Sequence, residues 1–137
     1  MGGLIAIVED EPELQALYRI MLESRGHDIA YVSASADDAV GKYACCARRP
    51  DLVIVDGRLA DSSSGVDAAR RILAADPCAR ILFATADAEA GRMAGRPGVL
   101  GVLQKPFSMG AMLGAIEGAL SSEGATLTPR ERLSYYA

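Results

Sequence analysis

The stretch Leu52-Val53-Ile54-Val55-Asp56 limits what this chain can fold into more than any other. Four apolar residues, three of them β-branched, run directly into one acid, with Pro50 before the run and Gly57 after it. A run so short, bounded in this way, reads as a strand of a parallel sheet covered on both faces. Such a strand cannot keep a carboxylate inside it, because an unpaired buried charge is too costly. Asp56 is therefore expected at the carboxyl end of the strand, where the chain leaves the sheet. In open α/β sheets that rim is where ligands bind. An acid at this place also suits a plain turn cap, since Asp is common in turns. The stretch alone leaves both readings open.

The chain has 137 residues, which suits one domain with a real core. Half of them are hydrophobic but only 5% are aromatic, and Trp is absent, so Ala, Val, Leu and Ile must build most of that core. A net charge of −4 gives no support for a nucleic-acid or anionic-membrane surface. Cys45, Cys46 and Cys78 make an odd count without C-x-x-C spacing, which fits reduced thiols in a cytoplasmic protein. Cys45 and Cys46 are not expected to share a metal, because adjacent positions on a helix point in different directions. Every apolar run is far shorter than a membrane span. The N-terminus has neither a basic n-region nor a long apolar h-region, so no signal peptide is expected. Gly2 is not followed by the Ser or Thr that myristoylation wants at position 6, where the chain has Ala6.

Leu4-Ile5-Ala6-Ile7-Val8 is a second apolar run that ends in acids, Glu9, Asp10 and Glu11, with Pro12 placed for the first turn of a helix. Leu14, Leu17, Tyr18, Met21 and Leu22 recur at helical spacing from Glu13 to Arg25, and Gly26 stops that helix. Asp28 to Val32 predicts a strand. Ser35, with Asp38 three residues on, opens a helix expected to run to about Arg49. After the central strand, residues 57–65 read as a polar loop. A helix follows from Val66 to Ala75, then a strand from Arg80 to Thr85 and a weak, short helix over residues 86–96. Val99 to Leu103 gives a fifth strand, and Ser108 caps a last helix carrying Met112, Leu113, Ile116 and Leu120. His27 is expected at the surface, and Arg48, Arg49, Arg70 and Arg71 on solvated helix ends. Residues 1–122 are read as the domain and 123–137 as a polar tail or the start of a linker or output region.

Strands alternating with helices predict a parallel sheet with helices on both faces and right-handed crossovers. The pattern resembles the flavodoxin-like doubly wound (βα)5 sheet, whose strand order is 2-1-3-4-5 and whose switch point lies between strands 1 and 3. That order sets Glu9 and Asp10 beside Asp56, with Thr85 ending strand 4 and Lys105 following strand 5. Three carboxylates close together cannot all stay charged unless a cation joins them. Hard oxygen ligands with room for water suit Mg²⁺. A lysine ammonium and a hydroxyl opposite suit a phosphoryl group. An Asp carboxylate can be the nucleophile towards phosphorus, giving an aspartyl-phosphate.

These residues together resemble the receiver domain of two-component response regulators, over roughly residues 3–121. The Glu9-Asp10 pair, Asp56, Thr85 and Lys105-Pro106-Phe107 carry the likeness. The resemblance implies that Asp56 is the phosphoacceptor. It implies that Asp10, Asp56 and the backbone carbonyl of Arg58 bind Mg²⁺, and that Glu9 orients a metal-bound water. Thr85 would donate to the phosphoryl oxygen and Lys105 would pair with it, with a cis bond before Pro106. It further implies a histidine kinase or histidine phosphotransferase as donor, and a downstream protein partner on the face of helix 4, strand 5 and helix 5. No nucleic-acid or membrane partner is expected, and no catalysis beyond the chain's own phosphorylation and dephosphorylation.

The sequence departs from the family pattern at several places. Ala60 stands where the family often has Pro, and the loop to Gly65 is one residue longer than the commonest form. Val102 occupies the position of the family's switch aromatic. Phe83-Ala84-Thr85 resembles an atypical receiver group named for a Phe-Ala-Thr-Gly motif, with Ala86 replacing the Gly. Two rival readings follow. One is a receiver-like interaction module that works without phosphorylation. The other is a phosphohydrolase of the haloacid dehalogenase type, disfavoured because Arg58 stands where that chemistry wants a second Asp. Leu127-Thr128-Pro129-Arg130-Glu131-Arg132 resembles the opening of a LuxR-type helix-turn-helix domain, of which the chain holds no more.

Overall fold

The computed structural model describes residues 2–59, 64–86 and 88–121. The apolar runs form strands β1 (Leu4–Val8), β2 (Asp28–Ser33), β3 (Leu52–Val55), β4 (Ile81–Thr85) and β5 (Val99–Gln104). Between and after them lie α1 (Pro12–Ser24), α2 (Ala36–Cys45), α3 (Gly65–Ala75), α4 (Ala88–Gly91) and α5 (Met109–Ser121). The strands make one sheet in the order β2-β1-β3-β4-β5, and every pairing is parallel. The flavodoxin-like doubly wound expectation is met in full.

Alternation along each strand divides the core in two. Ala6, Val8, Val53, Val55, Ile81 and Phe83 face one side and pack with Ala39, Tyr43, Val66, Ile72, Ala90 and Met93 from α2, α3 and the α4 region. Ile5, Ile7, Leu52, Ile54, Leu82 and Ala84 face the other and pack with Tyr18, Leu22, Met112 and Ile116 from α1 and α5. All four residues of β3 are buried, as a strand covered on both faces requires. Phe83 is fully buried, worth about 1.5–3 kcal/mol in apolar transfer.

Local chemistry sets the helix ends. Pro12 opens α1 without needing its missing N–H, and Gly26 leaves it at φ 83°. The Ser35 and Ser64 hydroxyls accept backbone N–H groups at the starts of α2 and α3, and Ser108 does the same for α5.

Two expectations are corrected. Helix α2 stops at Cys45, four residues short of Arg49, because Cys46 turns to extended backbone (φ −65°, ψ 127°). Tyr43 and Arg49 both bind the Asp76 carboxylate, at 2.6 and 2.9 Å, and this anchor at the end of α3 takes the chain out of the helix. Arg48 and Arg49 therefore lie beyond the helix end. His27 is buried, at 8% exposure, and its Nδ1 accepts a hydrogen bond from the Gly3 N–H at 2.9 Å. Ala60, Leu127–Arg132 and the rest of the tail lie outside the described residues. Among the described residues no helix is long and apolar enough to cross a membrane.

Candidate functional site

Strand register places the site. Val8 pairs with Val55, and the Asp56 N–H donates to the Val8 carbonyl at 2.8 Å, so Glu9 and Asp56 leave the sheet side by side. Thr85 pairs with Gln104, and the Lys105 N–H donates to the Thr85 carbonyl at 3.0 Å. The ends of β1, β3, β4 and β5 thus deliver their polar residues to one rim. The Lys105–Pro106 peptide is cis.

The side chains converge there. Glu9, Asp10 and Asp56 each offer a carboxylate oxygen, and these atoms lie within 4.8 Å of one another. The Lys105 Nζ stands 3.3 Å from Glu9 Oε1 and 3.2 Å from Asp56 Oδ2. The other Asp56 oxygen accepts from the Arg58 N–H at 3.2 Å, and Glu9 Oε2 accepts from the Glu11 N–H at the same distance. Asp10, Asp56, Arg58, Thr85 and Lys105 line a cavity of about 260 Å³ with Glu11, Leu59 and Ala86. Glu9 lies beneath it, 1% exposed.

Burial, and then the neighbouring Asp56 carboxylate, push the Glu9 acid up to about 7. Burial works against the charge on Lys105, but Glu9 and Asp56 outweigh it and hold that ammonium above its ordinary range. Among the described residues Lys105 pairs with two of these three acids, Glu9 and Asp56, so the acids outnumber it. Clustered hard oxygens with excess negative charge on an open cavity fit a small divalent cation that keeps some of its water.

Three residues of this site were not found from the sequence. Gly65 comes so close that a Cβ there would lie 1.7 Å from the Asp56 carbonyl oxygen. Gln15, one turn into α1, donates from Nε2 to the Glu9 carbonyl. Tyr18 lies buried in the core below, within electrostatic reach of Lys105, Glu9 and Asp56, and burial above all pushes its phenol up to about 12. The Tyr18 repeat reads only as a core position in sequence. Gly65, the first residue of α3, carries a signal in sequence solely through the loop-length pattern.

The family model described as response regulator receiver domain matches residues 5–117. The phyllosphere-induced regulator PhyR of Methylorubrum extorquens is 34% identical over 120 residues, which cover 88% of this chain and 44% of that protein. The chain therefore spans less than half the length of that relative. The receiver domain of the PhyR response regulator of Erythrobacter litoralis has 33% identity and a TM-score of 0.75, over 88% of this chain and 91% of that one. The receiver domain of a sensor histidine kinase from Pseudomonas aeruginosa was solved with a magnesium ion coordinated in the active site cleft. It has 28% identity and a TM-score of 0.74, over 89% of this chain and all of that one (100%). A five-stranded sheet in the order 2-1-3-4-5, an acid cluster at its rim bridged by Lys105, and a family match across nearly all of the core lead to one assignment: this chain belongs to the response regulator receiver family.

Proposed function

We propose that Asp56 accepts a phosphoryl group from a histidine kinase or histidine phosphotransferase and that the modification switches binding of a partner protein. The observation that carries this reading is the Lys105 ammonium held between Asp56 and Glu9 at the cavity. An Asp56 oxygen would attack phosphorus in line, forming an O–P bond as the P–N bond to the donor imidazole breaks. Lys105 would move its contact from the carboxylate to the new phosphoryl oxygens. Thr85, buried at the end of β4, would donate its hydroxyl to another of them.

Asp10, Asp56 and the Arg58 carbonyl would hold Mg²⁺, with Glu9 orienting a water on it. When bound, that ion would neutralise charge on the acids and on the incoming phosphoryl oxygens. Asp10 and Glu9 keep their carboxylates aimed at one point, and the Arg58 and Glu11 amides orient the remaining oxygens. The chemistry is confined to the chain's own phosphorylation and dephosphorylation. The receiver unit would span residues 1–122, with 123–137 a tail or the start of a linker or output region. The relatives' printed names, a sensor histidine kinase and an anti-anti-sigma factor, support a signalling partner on each side of the reaction. The face of α4, β5 and α5 is the proposed partner surface, in the cytoplasm.

A second reading rests on Val102. It is 4% exposed and pairs in register with the buried Phe83, so β5 offers no ring there that could turn inward. In that reading the receiver binds its partner without phosphorylation. Phosphotransfer from a labelled histidine phosphotransferase separates the two. Label on the wild type, absent from Asp56→Asn, with partner binding lost in Asp56→Ala, supports the switch. Unlabelled protein that binds its partner equally well as Asp56→Ala supports the module.

A further inference from the structure

Asp10 is the acid of the rim whose own side chain is least fastened. It is half-buried, and its carboxylate shares the cluster with Glu9 and Asp56. Glu9 and Asp56 are each held by Lys105 and by a backbone N–H. Among the described residues no such bond reaches the Asp10 carboxylate. Its aim therefore depends on the backbone on either side of it, the turn Glu9-Asp10-Glu11 between β1 and α1.

That turn is tied at four points. The Glu9 N–H donates to the Ser33 carbonyl at 2.9 Å, and the Glu11 N–H donates to Glu9 Oε2 at 3.2 Å. The other two ties both come from Gln15. Its backbone N–H donates to the Glu11 carbonyl at 3.0 Å, and its side-chain Nε2 donates to the Glu9 carbonyl. One residue thus holds the carbonyls on both sides of Asp10. The Glu11 bond belongs to the first turn of α1, and any residue with an N–H would make it. The Glu9 bond lies outside that ladder and needs a side-chain donor. A carbonyl only accepts, so the amide must present its nitrogen there. Helix α1 does not need this bond to stay in place, because Pro12 opens it and Tyr18, Met21 and Leu22 bury its inner face in the core.

We propose that Gln15 is a positioning residue for the divalent cation. By holding the Glu9 carbonyl from the first turns of α1 it fixes the backbone around Asp10, and so aims that carboxylate at the ion. The role rests on the proposed Mg²⁺ site of Asp10, Asp56 and the Arg58 carbonyl. Groups that orient a metal ligand without touching the metal set its affinity, and loss of one weakens binding by about 10–100-fold.

The test is Mg²⁺ titration of the unphosphorylated chain, followed through the backbone amide shifts of Glu11 and Arg58. Gln15→Met keeps the side chain's length and helix preference and removes the donor. Tyr43→Phe, which removes a bond to Asp76 away from the rim, controls for a general loss of stability. Gln15→Met should raise the Mg²⁺ dissociation constant by about tenfold. Tyr43→Phe should leave it unchanged, even with a lower urea midpoint. With acetyl phosphate, the Mg²⁺ concentration giving half the maximal phosphorylation rate should rise by the same factor in Gln15→Met, while the rate at saturating Mg²⁺ stays that of the wild type. Wild-type Mg²⁺ affinity in Gln15→Met, or equal weakening in Tyr43→Phe, would overturn the positioning role and leave the Mg²⁺ site standing. A wild type in which Mg²⁺ shifts neither amide would overturn the Mg²⁺ site, and the role of Gln15 with it.

Discussion

The Lys105 ammonium lies 3.2 Å from the Asp56 carboxylate, although 49 residues separate the two in sequence. It also reaches Glu9, 96 residues away, at 3.3 Å. One cation therefore ties the end of β5 to the ends of β1 and β3. Replacing it with an uncharged chain of similar length leaves two largely buried carboxylates facing each other. Lys105→Met is expected to cost about 1–3 kcal/mol in urea unfolding with chelator present, and added Mg²⁺ should restore part of that loss. Unchanged stability would show that the bridge contributes nothing.

Glu9 gives a pH signature. In the folded chain its acid titrates at about 7, against 4.5 when unperturbed. The folded state thus holds this proton more tightly than the unfolded state. The stability linked to it is full below about pH 4.5, falls as pH rises, and is gone above about 7. Unfolding of wild type and Glu9→Gln in chelator should diverge by roughly 1–3 kcal/mol across that window, with the wild type losing ground as pH rises. A constant difference from acid to neutral pH would contradict the buried-acid assignment.

Gly65 is a steric test of the acceptor loop. Its N–H donates to the Gly57 carbonyl at 3.0 Å, and a Cβ would press on the Asp56 carbonyl. Gly65→Ala must push the Asp56 backbone away and should lower phosphorylation by tenfold or more, along with stability. Gly41, inside α2 with open space around it, is the control. Gly41→Ala should gain about 0.5–1 kcal/mol in thermal or urea unfolding and keep normal phosphorylation.

Tyr18 is 1% exposed and its hydroxyl has no hydrogen-bond partner. Removing that hydroxyl relieves a buried polar atom without opening a large cavity. Tyr18→Phe is expected to be neutral or to stabilise by about 1 kcal/mol in urea unfolding. A loss of more than that would reveal a bond the phenol makes in solution.

The rim was legible in the sequence for a physical reason. Apolar runs packed on both faces cannot hold an unpaired charge within them, so Glu9, Asp56 and Lys105 had to stand at strand ends, where the acids stay buried but paired with the lysine. Parallel topology then brought those ends together. What depends on distant partners was not legible. Cys46, Ala47 and Arg48 have nothing in their own sequence that forbids helix, and α2 ends early because Tyr43 and Arg49 meet Asp76 across the fold. His27 looked like a solvated turn residue, but Gly3 closes over it and bonds to its ring. The approach of Gly65 to Asp56 appears only once the loop is folded.

Intact mass measured after incubation with Mg²⁺ and acetyl phosphate, beside an Asp56→Asn control, tests the phosphoacceptor most directly. The wild type should gain one phosphoryl group and the control none. Repeated failure of the wild type to gain mass, with this donor and with phosphorylated histidine phosphotransferases, would contradict a phosphorylation switch and leave the phosphorylation-independent module.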